Sequence, residues 1–181
     1  MKKELIGLSK FISLVLRHKP DSIGLKLDDN GWADVHELIT CLSIYQKNKS
    51  FTKELLNEIV QTNDKKRFEY NQDGCKIRAR QGHSVDVDLN YSPSIPPFNL
   101  FHGTAHKYID LIKKNGIKKM KRHHVHLSKD YDTAVKVGKR HGEVIVLKVD
   151  SKSMSDDGFT FFKTDNDVWL TDEVPIKYIE L

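Results

Sequence analysis

Apolar positions in the first half of the chain recur with a helical period. Leu5, Leu8, Phe11, Ile12, Val15 and Leu16 are spaced three and four apart, which gathers them on one helix face. Arg17-His18-Lys19-Pro20 ends that helix, because the residue before a proline is disfavoured in the α conformation. Asp28-Asp29-Asn30-Gly31 reads as a turn, and Asp34 with Glu37 as a capping box opening a second helix through about Leu42. Thr52 caps a third helix that turns Leu55, Leu56, Ile59 and Val60 inward. Arg67–Tyr70 and Cys75–Arg78 flank Asn71-Gln72-Asp73-Gly74 and predict a β-hairpin. Helices followed by a hairpin predict a winged-helix-like module.

Three of the five prolines fall between Pro93 and Pro97, which reads as a stiff connector following Tyr91. It sets a first unit at 1–92 against a second at 98–181. The second opens with a strand at Asn99–Thr104, then a helix from about His106 to Lys114 closed by Asn115-Gly116. Val125–Ser128 reads as a strand, Asp130–Arg140 as a helix and Glu143–Val149 as the strongest strand. Phe159–Phe162, Asp167–Leu170 and Ile176–Ile179 complete a strand-rich end. This half is α+β with a mostly antiparallel sheet.

Of the 181 residues, 38% are apolar and 30% charged, enough to bury a core in a strongly charged surface. No apolar run approaches the ~20 residues of a membrane span. Glu4, Lys10, Arg17 and His18 interrupt any signal-peptide core, so a soluble, cytoplasmic protein without a membrane role is expected. Cys41 and Cys75, the two cysteines, form no CxxC pair, and reduced thiols are the default. The formal charge of +5 suits a polyanion without requiring one.

The sequence places several polar clusters where chemistry is possible. Arg17-His18 sits at a helix C-terminus, where a cation is favoured by the dipole whether or not it does anything more. Ile77-Arg-Ala-Arg-Gln-Gly-His-Ser84 gathers fork-shaped donors suited to phosphate, or is simply an exposed polar loop. His102-Gly103-Thr104 follows a strand, and its glycine would let a ligand approach the backbone. Between Leu111 and Lys129 lie seven lysines and arginines, three histidines (His123, His124, His126) and no acid, which suits a phosphate-binding rim better than a metal. Alternation sends His124 and His126 to one face and His123 to the other. Gly138-Lys-Arg-His-Gly142 is another cationic cluster. Walker A, GxGxxG, HExxH and GxSxG are absent, which removes support for kinase, dehydrogenase, metalloprotease and hydrolase readings.

Taken in order, these segments resemble the RNA 2′-phosphotransferase family of the KptA type, of which the tRNA-splicing 2′-phosphotransferases are members. The matching pieces are Leu8–Pro20, Asn30-Gly-Trp-Ala-Asp-Val35, Ile77–Ser84, Leu100-Phe-His-Gly-Thr104, His124-Val-His-Leu-Ser128, Val137–Gly142 and Val168-Trp-Leu-Thr171. The resemblance implies a winged-helix-like lobe binding RNA or phosphate and an ADP-ribosyltransferase-like lobe binding NAD. It implies removal of an internal RNA 2′-phosphate, with NAD⁺ consumed as co-substrate. The phosphate attacks the nicotinamide ribose C1″, and the ribose 2″-OH then attacks phosphorus, releasing ADP-ribose 1″,2″-cyclic phosphate. The family's Arg-His-Arg-Arg quartet maps onto Arg17, His18, Arg78 and Arg140, with Arg80 standing where relatives often carry a smaller polar residue. His102, Gly103, Thr104, His126 and Ser128 map onto the cofactor contacts, and no metal is implied.

An apolar residue near Val168 takes the place of the glutamate of many ADP-ribosyltransferases. This is consistent with a nucleophile that is already an anion. Phe162 and Trp169 either stack on a cofactor ring or pack in the core. An RNA bearing a 2′-phosphate is the expected partner, with no obligate protein partner. Two alternatives stand beside this reading: an ADP-ribosyltransferase acting on terminal nucleic-acid phosphates, and a non-enzymatic winged-helix nucleic-acid binder.

Overall fold

The computed structural model describes residues 3–45 and 51–180, and the chain divides between Asn90 and Tyr91 into two compact units. The first contains α1 (Lys3–Arg17), β1 (Ala33–Asp34), α2 (Val35–Tyr45), α3 (Lys53–Gln61), β2 (Phe68–Tyr70) and β3 (Lys76–Ala79). Leu5, Ile12, Val15 and Leu16 of α1 are buried with Leu38, Leu42, Leu56 and Ile59, so the periodic positions supply the core. Past Arg17 the helix closes as His18 and Lys19 both donate backbone hydrogen bonds to Leu14 O, at 2.9 and 3.1 Å. Pro20 then opens a short 3-10 turn ended by Gly24 at φ 70°, a left-handed position suited to glycine.

The capping box of α2 forms on one side only. Glu37 N donates to Asp34 Oδ1 at 2.8 Å, while the Glu37 carboxylate accepts from Lys26 N at 3.3 Å instead of closing back. The helix runs to Tyr45, past the expected end near Leu42, and there the Tyr45 ring stacks on Phe11 with centroids 4.6 Å apart. Thr52 caps α3 as expected, accepting from Leu55 N at 3.3 Å. The hairpin pairs Phe68 with Ala79, Glu69 with Arg78 and Tyr70 with Ile77. Two-residue β1, too short to show any period, joins through Ala33 opposite Ile77 and gives the sheet order β1-β3-β2.

The second unit contains β4 (Leu100–Ala105), α4 (Ile109–Asn115), β5 (Ile117–Lys118), β6 (Val125–Ser128), α5 (Tyr131–Gly138) and β7 (Val144–Val149). It continues with α6 (Ser151–Asp156), β8 (Phe162–Lys163), β9 (Val168–Thr171), β10 (Glu173–Val174) and β11 (Ile179–Glu180). Six strands form an antiparallel sheet in the order β11-β7-β4-β6-β9-β8, and β10 pairs with β5 in a second, two-stranded sheet. The expected α+β class with antiparallel pairing holds. Leu100, Val125, Leu127, Leu147, Val149, Met154, Phe161 and Trp169 are core residues.

Several elements differ from expectation. The connector is not free of the second unit: Pro93 bridges Phe162, Ser94 N donates to Phe161 O at 2.8 Å, and Ser151 Oγ donates to Pro97 O at 2.7 Å. The boundary therefore falls at 90/91, and Tyr91–Pro97 belongs to the second unit. His106–Tyr108 is a 3-10 turn before α4, and α5 ends at Gly138, leaving Arg140 beyond it. Of Phe159–Phe162 only Phe162 is strand, because Phe161 is turned into the core. Ile176–Tyr178 is a 3-10 turn after Pro175, with pairing starting only at Ile179. The six-residue α6 lacks an apolar period and is announced instead by its cap, Asp150 Oδ1 accepting from Ser153 N at 2.9 Å.

Candidate active site

In the first unit, the end of α1 meets the chain that follows β3. Ser84 N and Val85 N both donate to Arg17 O, at 2.9 and 3.3 Å. His18 Nδ1 lies 2.9 Å from Ser84 Oγ. Two polar segments far apart in sequence, Arg17-His18 and Gln81–Ser84, are thus tied together by backbone and side chain alike. His83 is buried in this loop, and Gln81 Oε1 is buried without a hydrogen-bond partner among the described residues. Arg17 is half-buried and His18 exposed, so the cluster opens to solvent at the histidine.

Arg78 lies on the strand leading into that loop. Its Nε donates to Glu69 Oε1 at 2.6 Å, and its Nη1 lies 3.3 Å from Asn30 O and 3.5 Å from Leu89 O. The guanidinium sits over the Trp32 ring, 4.3 Å from its centroid, within cation–π range. Arg80, two residues on and just past the end of β3, places Nη1 3.1 Å from Glu69 Oε2, and its Nε donates to Phe68 O at 3.4 Å. One carboxylate thus spans both arginines. Neither Glu69 nor Trp32 had been given a role from sequence. The signal that would have found Glu69 is the hairpin register, which sets it directly opposite Arg78.

In the second unit, His102 on β4 places Nδ1 3.1 Å from His126 O. A carbonyl only accepts, so Nδ1 carries the hydrogen and Nε2 is left as an acceptor in the neutral ring. Burial, followed by the nearby His141 and Arg122 charges, pushes the imidazole below its usual 6.5 against the His126 hydrogen bond, which favours neutrality at pH 7. His126 Nδ1 in turn lies 3.2 Å from Arg122 Nη1. Across β6 and β9, Ser128 sits opposite Val168 and His126 opposite Leu170, so these four residues share one sheet face.

Gly103 is packed closely against α5. A Cβ built there would lie 1.8 Å from Ala134 O and 2.9 Å from Gly138 N, so the missing side chain makes room for α5. Gly138 mirrors it: a Cβ there would lie 2.6 Å from Val144 Cγ2 and 3.0 Å from Gly103 C. Thr104 is buried beside this crossing. Arg140 follows α5 in a turn, is exposed, and forms no ion pair among the described residues. Trp169 is 6% exposed and is a core residue, whereas Phe162 is half-buried with its centroid 5.4 Å from that of His124 and 6.1 Å from that of Tyr91.

The structure therefore brings Arg17 and His18 together with the Gln81–Ser84 loop, and Arg78 and Arg80 together through Glu69. It joins His102 with His126 and gives Ser128 to the same sheet face as His126. No helix of the described residues is long and apolar enough to cross a membrane.

Comparison with known proteins places the chain in one family. Residues 3–173 match the model described as RNA 2′-phosphotransferase, Tpt1 / KptA family. A Flavobacterium johnsoniae protein named "Probable RNA 2'-phosphotransferase" is 57% identical over 174 residues, covering 96% of this chain and 94% of its own. A Fusobacterium nucleatum protein of the same name is 49% identical over 176 residues, covering 97% of each chain. One from Escherichia coli, strain E24377A, again so named, is 47% identical over 180 residues, covering 99% of this chain and 97% of its own. With a family match over nearly the whole length and relatives well above the level at which membership is in question, the chain belongs to the Tpt1/KptA family of RNA 2′-phosphotransferases.

Proposed function

We propose that the protein removes an internal 2′-phosphate from RNA at the expense of NAD⁺, through an ADP-ribosylated RNA. The observation that carries this reading is the family match across residues 3–173, which contains every residue assigned below. The Arg17-His18 cluster and its tie to Ser84 support it, because a phosphate dianion needs several convergent donors on a rigid frame.

In the first step an oxygen of the RNA 2′-phosphate forms a bond to C1″ of the nicotinamide ribose. The C1″–N bond breaks, and nicotinamide leaves with the bonding electrons. In the second step the ribose 2″-OH attacks phosphorus and the bond from phosphorus to the RNA 2′-oxygen breaks. The proton lost from 2″-OH balances the one gained by the RNA 2′-OH. Arg17, Arg78 and Arg140 bind the phosphate and stabilise the charge that builds on it, and His18 orients it by hydrogen bond.

The second unit's residues fit the dinucleotide. The Nε2 of His102 is available to accept from a ribose hydroxyl. His126, Ser128 and the Thr104 region frame the same strands, and the cation Arg122 suits a pyrophosphate. Val168, apolar, leaves no carboxylate base at that position, and an already ionised phosphate requires none. The helix and strand order α1-β1-α2-α3-β2-β3, with sheet order β1-β3-β2, supports the winged-helix-like reading of the first unit. The six-stranded antiparallel sheet supports the ADP-ribosyltransferase-like reading of the second.

The test is a short RNA carrying one internal 2′-phosphate, incubated with and without NAD⁺ and followed by mass spectrometry. NAD⁺-dependent loss of the phosphate with appearance of ADP-ribose 1″,2″-cyclic phosphate supports the proposal. Modification of terminal phosphates alone would favour an ADP-ribosyltransferase. Intact RNA and intact NAD⁺ would overturn the enzymatic reading and leave a nucleic-acid-binding module.

A further inference from the structure

Glu69 lies on β2, directly opposite Arg78 in the hairpin register, and its two carboxylate oxygens are divided between two arginines. Oε1 takes Arg78 Nε at 2.6 Å and Oε2 takes Arg80 Nη1 at 3.1 Å. All three side chains are less than one-fifth exposed, so the pairs are only weakly screened. Arg78 is held on its other sides as well: Nη1 by the Asn30 and Leu89 carbonyls and the guanidinium plane by Trp32. Of the three Arg78 nitrogens, only Nη2 is without a hydrogen-bond partner among the described residues. Arg80 differs, since its Nε is turned back to Phe68 O.

Resting on the function proposed above, we infer that Glu69 is a positioning residue: it fixes Arg78 so that one guanidinium edge faces the RNA phosphate, and Arg80 braces Glu69. This assigns phosphate contact to Arg78 and a supporting part to Arg80. The assignment makes a prediction opposite to that of simple charge. An acid beside a phosphate-binding arginine repels a dianion, so neutralising it should strengthen phosphate binding if charge alone mattered. A guanidinium released from its clamp loses its aim instead, and a misplacement of about 1 Å costs on the order of 10²-fold in rate.

The experiment measures kcat and KM on the 2′-phosphorylated RNA for Glu69→Gln, Glu69→Ala, Arg78→Ala and Arg80→Ala. It also measures, without NAD⁺, binding of that RNA against the same RNA with a 2′-OH. The expected losses in kcat are about 10²-fold for Glu69→Ala and about tenfold for Glu69→Gln, whose amide oxygen still accepts from one guanidinium. Arg80→Ala is expected to lose far less than Arg78→Ala. The preference for phosphorylated RNA should shrink in both Glu69 variants. If Glu69→Ala fails to fold, the near-isosteric Glu69→Gln decides. Glu69→Gln with wild-type or higher kcat and undiminished phosphate preference overturns the inference, as does Arg80→Ala proving as damaging as Arg78→Ala. A wild-type protein that prefers phosphorylated RNA but does not turn it over sinks the proposed reaction. The binding comparison then still tests Glu69. No preference in the wild type overturns both.

Discussion

The crossing of α5 over β4 offers a sharp test of what holds the second unit together. Gly103→Ala adds one methyl group where its Cβ would lie 1.8 Å from Ala134 O, 2.7 Å from Ala134 C and 2.9 Å from Gly138 N. Gly103 has no positive φ, so the substitution meets no backbone strain and its cost is purely steric. Ordinary van der Waals contact would require α5 to retreat by about 1.5 Å, well beyond the small shifts that overpacked cores absorb at ~1–3 kcal/mol. Neither partner is free to yield. β4 is paired with β7 along all six residues, from Leu100 opposite Val149 to Ala105 opposite Val144, and with β6 on its other side. α5 is pinned at its start by Asp130, which accepts from Thr133 N at 2.8 Å.

We expect a loss of at least about 3 kcal/mol, which in a unit of this size lowers Tm by on the order of 15 °C. The chain has two tryptophans, Trp32 in the first unit and Trp169 in the second. Melting followed by Trp169 emission in a Trp32→Phe background therefore reports the affected unit. Gly7→Ala, exposed on α1 with nothing within 4 Å of its Cβ, is the control and should stabilise by about 0.5–1 kcal/mol. A Gly103→Ala protein melting within a few degrees of its parent would refute the claim that helix packing dictates this glycine.

Three further outcomes are expected. Ser84→Ala removes the hydroxyl beside His18 Nδ1 while leaving the Ser84 N to Arg17 O bond, so kcat should fall about tenfold with Tm unchanged. An unaltered kcat would show that Ser84 does not orient the histidine. Arg140→Ala should abolish turnover and leave Tm within about 1 °C, since exposed positions without partners contribute little to stability. Wild-type turnover would remove Arg140 from the reaction. His102 is kept neutral by burial while the unfolded chain binds a proton at the usual 6.5, so stability is present above that pH and is lost as pH falls through it. Replacing it with glutamine should flatten that acid limb in melts between pH 7 and pH 5, and an unchanged limb would contradict the assignment.

The chain's own pattern determined most of the local structure. Apolar period, caps at Thr52 and Asp130, and glycines at Gly74 and Gly116 act over a few residues, and the corresponding helices, hairpin and stops appear where those signals stand. Pairwise chemistry was legible only as composition: Arg17, His18, Arg78 and His102 are marked by type, but nothing local says what each one meets. The tertiary structure decided that Ser84 meets His18, that Glu69 joins Arg78 to Arg80, and that His102 is held in one tautomer by the His126 carbonyl. It also set Gly103 against α5 and fastened the proline segment to the second unit. Elements such as β1 and β11 contain two residues each and exist because a longer neighbour offers hydrogen bonds, not because their side chains alternate. A side chain's partner depends on register and on which backbone passes nearby. Those are properties of the folded chain as a whole, whereas period and capping are properties of a few consecutive residues.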